Sequence, residues 1–134
     1  MKTLFENWRG YMNETKDSKN VSKAVIIKED GALLLLRSVG QRFSGKWDLP
    51  GGHIHVGEDA KDGLIREVME ETGLKLEEPI IKLYDEDNIT FYKARMPDKD
   101  VSLSHEHSEH KFVTKDSIPD NMSGKFKRAI KKAL

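Results

Sequence analysis

The sequence contains no cysteine among its 134 residues. This absence excludes disulfide bonds, cysteine nucleophiles and zinc sites with cysteine ligands. Long apolar runs are also missing, since the longest, from Ala32 to Leu36, has the length of a buried strand and not of a membrane span. Charged residues occur close to the N-terminus, at Lys2 and Glu6, so we expect no secretory leader. These features favour a cytoplasmic protein that has no membrane partner.

An excess of charge of either sign is absent as well, because 23 Lys and Arg residues balance 23 Asp and Glu residues. Proteins that bind nucleic acid more often carry a basic surplus, so long nucleic acid is disfavoured as the main partner. A small anionic ligand needs only a local site, and the balance does not oppose it. The length suits one domain with one core.

Residues 1–20 differ from the rest of the chain. Apolar side chains recur at helical spacing from Leu4 to Met12, which predicts an N-terminal amphipathic helix followed by a polar linker. We expect this helix to pack on the body of the domain. A dimer contact is the alternative, so a monomer and a homodimer both stay open. Residues 21–134 form the predicted domain.

Periodicity and turn residues predict the main elements of that domain. A loop with two glycines and two basic residues follows the second strand, and Asp30-Gly31 marks a hairpin turn. Strands before and after one central helix predict an α/β or α+β sandwich with a mixed sheet. The predicted strands are 21–28, 32–38, 53–56, 80–84, 89–95 and 111–114, and the predicted helices are 58–72 and 123–134.

Three glutamates stand at i, i+3 and i+4 of the central helix: Glu67, Glu70 and Glu71. This spacing places them on one helix face, roughly opposite the apolar residues Leu64 and Val68. Like charges repel there, and a hard divalent cation such as Mg²⁺ or Mn²⁺ turns the repulsion into binding. A solvated charged face is the favoured interpretation when these three residues are considered alone.

The pattern extends over 23 residues around the helix. It fills every specified position of Gly-x5-Glu-x7-Arg-Glu-U-x-Glu-Glu-x-Gly-U, where U is aliphatic. The sequence therefore resembles the Nudix hydrolase family, in its small MutT-like members, over about residues 21–134. The resemblance implies an α/β/α sandwich in which this box forms a loop–helix–loop. The matching residues are Gly52, Glu58, Arg66, Glu67, Val68, Glu70, Glu71, Gly73 and Leu74.

The same resemblance implies a metal site. It makes Glu67, Glu70 and Glu71 ligands of Mg²⁺, with Mn²⁺ as a substitute, and it adds the backbone carbonyl of Gly51 as a further ligand. In the family, the residue at Glu58 supports the metal site or its loop.

Structural roles follow for two glycines of the box. Gly52 lies in the loop before the helix, and Gly73 stands where a C-cap glycine belongs.

The family's chemistry is the attack of water on phosphorus, which needs a general base. Some members use a box glutamate, here Glu67, and others use a glutamate from a distant loop. Glu106 and Glu109 are the loop candidates, and we favour Glu106, although both could equally be solvated acids. Arg66 resembles the residue that orients a catalytic glutamate. The predicted catalytic group is therefore Arg66, Glu67, Glu70 and Glu106.

A basic and aromatic loop precedes the box. Arg42, Phe43 and Lys46 are candidates for binding phosphate and stacking a base. Arg37, at the end of the second strand, is a further candidate for a phosphate contact. Trp47 is favoured as a packing residue.

Histidines form two groups, His53 with His55 and His105 with His107 and His110. A transition-metal site is one interpretation, and contact with a substrate phosphate is another. Solvated surface side chains are the favoured interpretation.

The sequence thus predicts Mg²⁺-dependent hydrolysis of a phosphoanhydride bond in a nucleoside diphosphate linked to another moiety, such as a nucleoside triphosphate. The expected partner is a small nucleotide-type molecule. A nucleotide-sensing domain without catalysis and a pyrophosphohydrolase of RNA 5′ ends are the alternatives.

Overall fold

The computed structural model describes residues 20–134. The predicted N-terminal helix and nearly all of its linker lie outside the described residues. Neither described helix has the length and apolarity that a membrane span requires. The described elements, in chain order, are β1 (Val21–Lys28), β2 (Gly31–Arg37), β3 (Trp47–Asp48), β4 (Gly51–His53), α1 (Ala60–Thr72), β5 (Ile81–Glu86), β6 (Ile89–Arg95), β7 (His107–Val113) and α2 (Gly124–Ala133).

The strands form a mixed sheet with β1 near its centre. β1 pairs in parallel with β6 along its whole length, and it pairs antiparallel with β4 and, at the hairpin, with β2. β5 extends the sheet beyond β6, while β3 and β7 flank β2. The pairing of β1 with β4 brings Val21–Lys23 beside Gly51–His53, and this contact places the loop of the predicted box on the sheet.

Two helices cover opposite faces of the sheet. Ala24 and Ile26 of β1 pack with Leu64 of α1 on one face. Val25, which points the other way because side chains alternate along a strand, packs with Ile130 of α2. The predicted α/β sandwich with a mixed sheet is therefore confirmed.

Most predicted elements are present, and the differences have local causes. β1 and β6 have the predicted bounds, whereas residues 54–56 are not a strand because the pairing with β1 ends at His53. α1 begins at Ala60 and not at Glu58, since the Glu58 carboxylate is used in the turn before the helix. The hairpin has its positive φ, 57°, at Glu29 and not at Gly31.

Two strand segments were missed. β3 has two residues, which is too short for any periodicity to register. β7 begins at His107, four residues before the predicted start, and most of its side chains are exposed. It pairs only with β2 within the described sheet, so the alternation of apolar and polar residues that marks a half-buried strand is absent.

Because β2 is buried on both faces, consecutive residues of this strand should both be costly to truncate. Leu33 packs in the α1 layer and Leu34 in the α2 layer, and both are fully buried. We expect Leu33→Ala and Leu34→Ala each to lower the free energy of unfolding by about 2–5 kcal/mol. Ile81→Ala, at a side chain that is 48% exposed, should cost less than about 1 kcal/mol. Urea unfolding would measure all three, and a loss below about 1 kcal/mol for either leucine would contradict the two-layer core.

Candidate active site

A cavity of about 810 Å³ opens where the box helix meets the sheet. This volume suits a drug-sized or nucleotide-sized ligand. Its lining comes from β1, the end of β2 and the loop after it, β3, β4, the C-terminal half of α1, Glu106, and the residues at the start of α2. The cavity therefore joins the predicted metal-binding segment to the predicted substrate loop.

Arg66 connects the acidic residues of this cavity. Its Nε and Nη2 donate to the two carboxylate oxygens of Glu58, at 2.9 and 3.1 Å. Its Nη1 donates to Glu67 at 3.0 Å and to Glu70 at 3.1 Å, and its Nη2 also reaches the carbonyl of His53 at 2.9 Å. One guanidinium thus contacts three carboxylates and the loop before the helix.

The electrostatic effect of Arg66 is clearest at Glu58. Hydrogen bonds from Arg66, and then from the His55 backbone N–H, lower the pKa of Glu58 to about 2 despite the opposing effect of partial burial. In return, the hydrogen bonds that Arg66 donates to Glu58 raise the pKa of Arg66. Both groups therefore stay ionised over the pH range in which proteins function.

Glu71 lies apart from the other two helix carboxylates. The sequence predicted all three on a face away from the core, but Glu71 is buried, whereas the Glu70 side chain is 57% exposed. The backbone N–H of Gly51 donates to Glu71 Oε1 at 2.8 Å. Burial raises the pKa of Glu71 to about 8, with Asp48 and Glu67 adding to the shift and Lys23 opposing it.

Two glycines allow the loop to approach both the sheet and the helix. Gly51 has φ 126°, and a Cβ there would lie 2.1 Å from the carbonyl oxygen of Ser22. A Cβ on Gly52 would lie 2.6 Å from Glu67 Oε2. Side chains at these positions would push the loop away from β1 and from the carboxylates.

The donor types at the cavity fit a hard divalent cation. Glu67, Glu70, Glu71 and Gly51 all line it, and their oxygens are the ligands that Mg²⁺ prefers. In residues 20–134, however, no three His, Asp or Glu side chains are arranged as a metal-binding group. Arg66 contacts two of the carboxylates and the Gly51 N–H contacts the third, so binding a cation requires some of these contacts to rearrange.

The predicted substrate residues belong to the lining of the same cavity. Arg37, Arg42, Phe43 and Lys46 all line it. The Arg42 guanidinium lies 5.0 Å from the Phe43 ring centroid, and that ring is 64% exposed. Trp47 lines the cavity too, and it carries the ammonium of Lys111 4.3 Å above its ring.

Of the two loop acids, Glu106 lines the cavity and Glu109 does not. Glu109 lies in β7, where it pairs with Leu36 and is exposed. The segment before Glu106 is bound to the end of α1, because the backbone N–H of Ser104 donates to the carbonyl of Glu71 at 3.1 Å. This bond joins the segment just before Glu106 to the C-terminal end of the box helix.

The histidines do not form a joint site. His53 lines the cavity, whereas His55, His105 and His110 are exposed. The side chain of His107 is fully buried and contacts an aspartate.

Sequence reasoning missed two charged residues beside the cavity, and it was wrong to favour a solvated surface position for a third residue, His107. Lys23 and Asp48 are buried and form an ion pair of 3.0 Å, and the Nε2 of the buried His107 lies 3.2 Å from the other oxygen of Asp48. The signal that could have revealed the ion pair is a lysine inside a predicted strand that is otherwise mostly apolar, where an isolated charge needs a partner. Phe126 of α2 was also missed, although it lines the cavity and faces Lys23.

Comparison with known proteins adds independent information. The model of the NUDIX domain matches residues 19–133 of this chain. A crystal structure of a MutT protein from Methanosarcina mazei is 32% identical, with a TM-score of 0.69, and the match covers 84% of this chain and 89% of that one.

Two curated relatives match over shorter stretches. An ADP-ribose pyrophosphatase of Methanocaldococcus jannaschii is 41% identical over 49 residues, which are 37% of this chain and 29% of that protein. The nucleoside triphosphatase NudI of Escherichia fergusonii is 45% identical over 53 residues, which are 38% of each. These matches span only about a third of the relatives' lengths.

The raised pKa of Glu71 generates a prediction for the metal-free protein. The unfolded chain loses this proton near pH 4.5 and the folded protein near pH 8. The protonated group's contribution to stability is therefore complete below pH 4.5 and is lost as the pH rises through 8. In chelator, we expect Glu71→Gln to melt at least roughly 5 °C above the unmodified protein at about pH 9, with the two converging towards acid pH.

Differential scanning calorimetry from about pH 5 to about pH 9 would measure this difference. Glu77→Gln, at an exposed side chain, is the matched control and should follow the unmodified protein. Parallel curves for Glu71→Gln and the unmodified protein would show that Glu71 has an ordinary pKa.

Proposed function

The chain belongs to the Nudix family, and from this premise we propose that it is a Mg²⁺-dependent hydrolase of phosphoanhydride bonds. Members of the family typically depend on a divalent metal. The proposed substrate is a nucleoside diphosphate linked to another moiety, such as a nucleoside triphosphate. The proposed products are a nucleotide and a phosphate-containing group.

One observation supports this proposal above the others. Glu67 and Glu70, both bound by Arg66, and the buried Glu71 line the same cavity as the cations Arg42 and Lys46. Carboxylates suit a divalent cation, and Arg and Lys side chains suit phosphate oxygens. A pyrophosphate with its cation, bound in this cavity, would complement both sets of charges.

The residues of the chain have separable roles in the proposed reaction. When bound, Mg²⁺ would lower the pKa of the attacking water and neutralise charge on the phosphoryl oxygens. Arg66 keeps Glu67 and Glu70 oriented towards the cavity, and Arg42 and Lys46 hold the phosphates. Glu106, which lines the same cavity, accepts the proton of the water as general base.

The recognition wall, by which we mean Arg42, Phe43 and Lys46, supports the proposal that the substrate contains a nucleoside. The Phe43 ring is exposed to the cavity and is backed by Arg42, which is an arrangement suited to stacking a base. The named relatives act on ADP-ribose in one case and on nucleoside triphosphates in the other. Both compounds contain a nucleoside diphosphate, which is the part common to the proposed substrates.

The intact ion-pair system around Arg66 favours an enzyme over a nucleotide sensor. A sensor needs the cations and the aromatic ring of the recognition wall, but it does not need three oriented carboxylates. The terminal helix offers little support for RNA, because Lys125 pairs with Asp87 and Arg128 with Glu86.

A substrate panel would test the proposed reaction. Nucleoside triphosphates, ADP-ribose, dinucleoside polyphosphates and triphosphorylated RNA would be incubated with Mg²⁺, and the products identified by mass. For the best substrate, we expect Glu70→Gln and Glu71→Gln each to lower kcat at least about a hundredfold, which is about 2.7 kcal/mol of transition-state stabilisation. Glu77→Gln is the control for loss of one exposed carboxylate. Full turnover in both active-site variants would defeat the assignment.

Replacing the two loop acids separately would test the general base. We expect Glu106→Gln to lower kcat by about 10²- to 10⁴-fold with little change in KM, because the proton acceptor is lost and the phosphate contacts remain. Glu109→Gln should leave both constants unchanged, since that side chain lies outside the cavity lining. A loss confined to Glu109→Gln would exclude Glu106, and normal kcat in both variants would transfer the role to Glu67.

A further inference from the structure

Beneath the cavity lies a buried ionic group centred on Asp48. This residue is only 6% exposed, yet it faces three basic side chains. Lys23 Nζ lies 3.0 Å from Oδ1, while His107 Nε2 and Arg37 Nη1 lie 3.2 and 3.7 Å from Oδ2. Burial alone raises the pKa of Asp48, but Lys23 and His107 outweigh that effect and keep the pKa below its ordinary value.

The ammonium of Lys23 is fully used by its neighbours. Besides Asp48, it donates to the carbonyl oxygens of Leu49 at 3.0 Å and of Gly51 at 3.1 Å. An ammonium has three hydrogens to donate, so none is left for a substrate phosphate. Lys23 therefore acts on the backbone between β3 and β4 and not on a ligand.

This contact fixes the peptide groups on both sides of Gly51. The carbonyl of Gly51 accepts from Lys23, and its N–H donates to Glu71. The proposed function makes that carbonyl a metal ligand, so its direction relative to Glu71 is set by a strand on one side and by the box helix on the other.

The ionic group has two sets of contacts, which we call its arms. The first is the set made by Lys23, and the second reaches β7 through His107. The side chain of His107 is fully buried, and among the described residues its Nδ1 has no hydrogen-bond partner. Its contact with Asp48 is therefore the polar contact that holds the ring. Glu106 precedes His107 in the chain and lines the cavity, and its carbonyl accepts from the Ser38 N–H at 2.9 Å.

Stability alone gives a weak reason for such a group. Buried ion pairs are costly to desolvate, and apolar residues of similar volume commonly replace them without loss of stability. The ions instead fix the orientation of neighbouring groups. The Lys23 contacts end at Gly51, and the His107 contact lies next to Glu106 in the chain, and both Gly51 and Glu106 belong to the proposed site.

We propose that Asp48 is a positioning residue of the active site. Through Lys23 it orients the Gly51 carbonyl, which would be one of the metal ligands, and through His107 it places Glu106. This inference rests on the proposed function and adds residues that lie outside the Nudix box.

The first test removes the ion pair without changing the net charge. The double variant Lys23→Met/Asp48→Leu replaces both ions with apolar side chains, so any change in metal affinity reflects geometry. Mn²⁺ binding to the substrate-free protein would be measured by electron paramagnetic resonance of the free ion. We expect the double variant to melt cooperatively and to bind Mn²⁺ at least about tenfold more weakly.

The second test concerns the His107 arm and does not depend on whether the double variant folds. His107→Leu keeps a buried apolar volume but removes the contact with Asp48, whereas the amide nitrogen of His107→Gln can still donate to it. We expect His107→Leu to lower kcat about tenfold with Mn²⁺ affinity and KM unchanged, and His107→Gln to recover most of the loss. A role in stability alone would move the melting temperature of His107→Leu and leave its kcat at the normal value.

The outcomes separate this inference from the proposed function. If the unmodified protein binds Mn²⁺ and hydrolyses a substrate while the double variant and His107→Leu do both equally well, Asp48 has no positioning role. If the unmodified protein hydrolyses nothing but the double variant loses Mn²⁺ affinity, the reaction is wrong and the positioning of the Gly51 carbonyl stands. Equal loss of kcat in His107→Leu and His107→Gln would show that the contact between His107 and Asp48 does not place Glu106.

Discussion

The peptide at Gly51 is the point on which the rest of the site depends. Its N–H donates to Glu71 of α1, and its carbonyl accepts from Lys23 of β1. This double contact requires a backbone with φ 126°, and it leaves no space for a Cβ against Ser22. The box helix and the central strand are therefore joined through the backbone of one residue, whose N–H contacts the helix and whose carbonyl contacts the strand.

Burying Glu71 against this peptide has an electrostatic consequence. A carboxylate in that position is poorly solvated and has Glu67 and Asp48 as acidic neighbours, which is why its pKa is about 8. The neighbouring Lys23 only partly compensates, because its charge is shared with Asp48. A divalent cation beside Glu71 would supply the missing positive charge. Because a ligand carboxylate must be ionised, binding of that cation would be coupled to loss of the Glu71 proton.

Local spacing explains how much of this site the sequence could predict. The positions of Arg66, Glu67 and Glu70 follow from one helix, and Gly73 ends that helix with φ 71° as predicted. The burial of Glu71 depends on the strand that packs against the helix, and no helical pattern contains that information. Fold class and the strands β1 and β6 were predicted for the same reason, since each rests on a run of residues adjacent in the chain.

The parts that were missed depend on contacts between distant residues. Lys23 is separated from Asp48 by 25 positions, and Asp48 from His107 by 59. None of the three residues belongs to a short motif, and an edge strand such as β7 lacks the apolar alternation that would have located His107. Their partners become identifiable only when β1, β3 and β7 are assembled.

The cavity also explains why the box predicts a reaction better than it predicts a substrate. The reacting side is made of α1 and β4, which are joined by the hydrogen bond from the Gly51 N–H to Glu71 and by that from Arg66 to the His53 carbonyl. The recognition side comes from the loop of residues 38–46 and from α2, which lie outside the box and have no fixed spacing relative to it. Phosphate geometry is common to all the proposed substrates, so one arrangement of carboxylates serves each of them. The nucleoside differs between them, and its selection depends on Phe43, Arg42 and their neighbours on the recognition side.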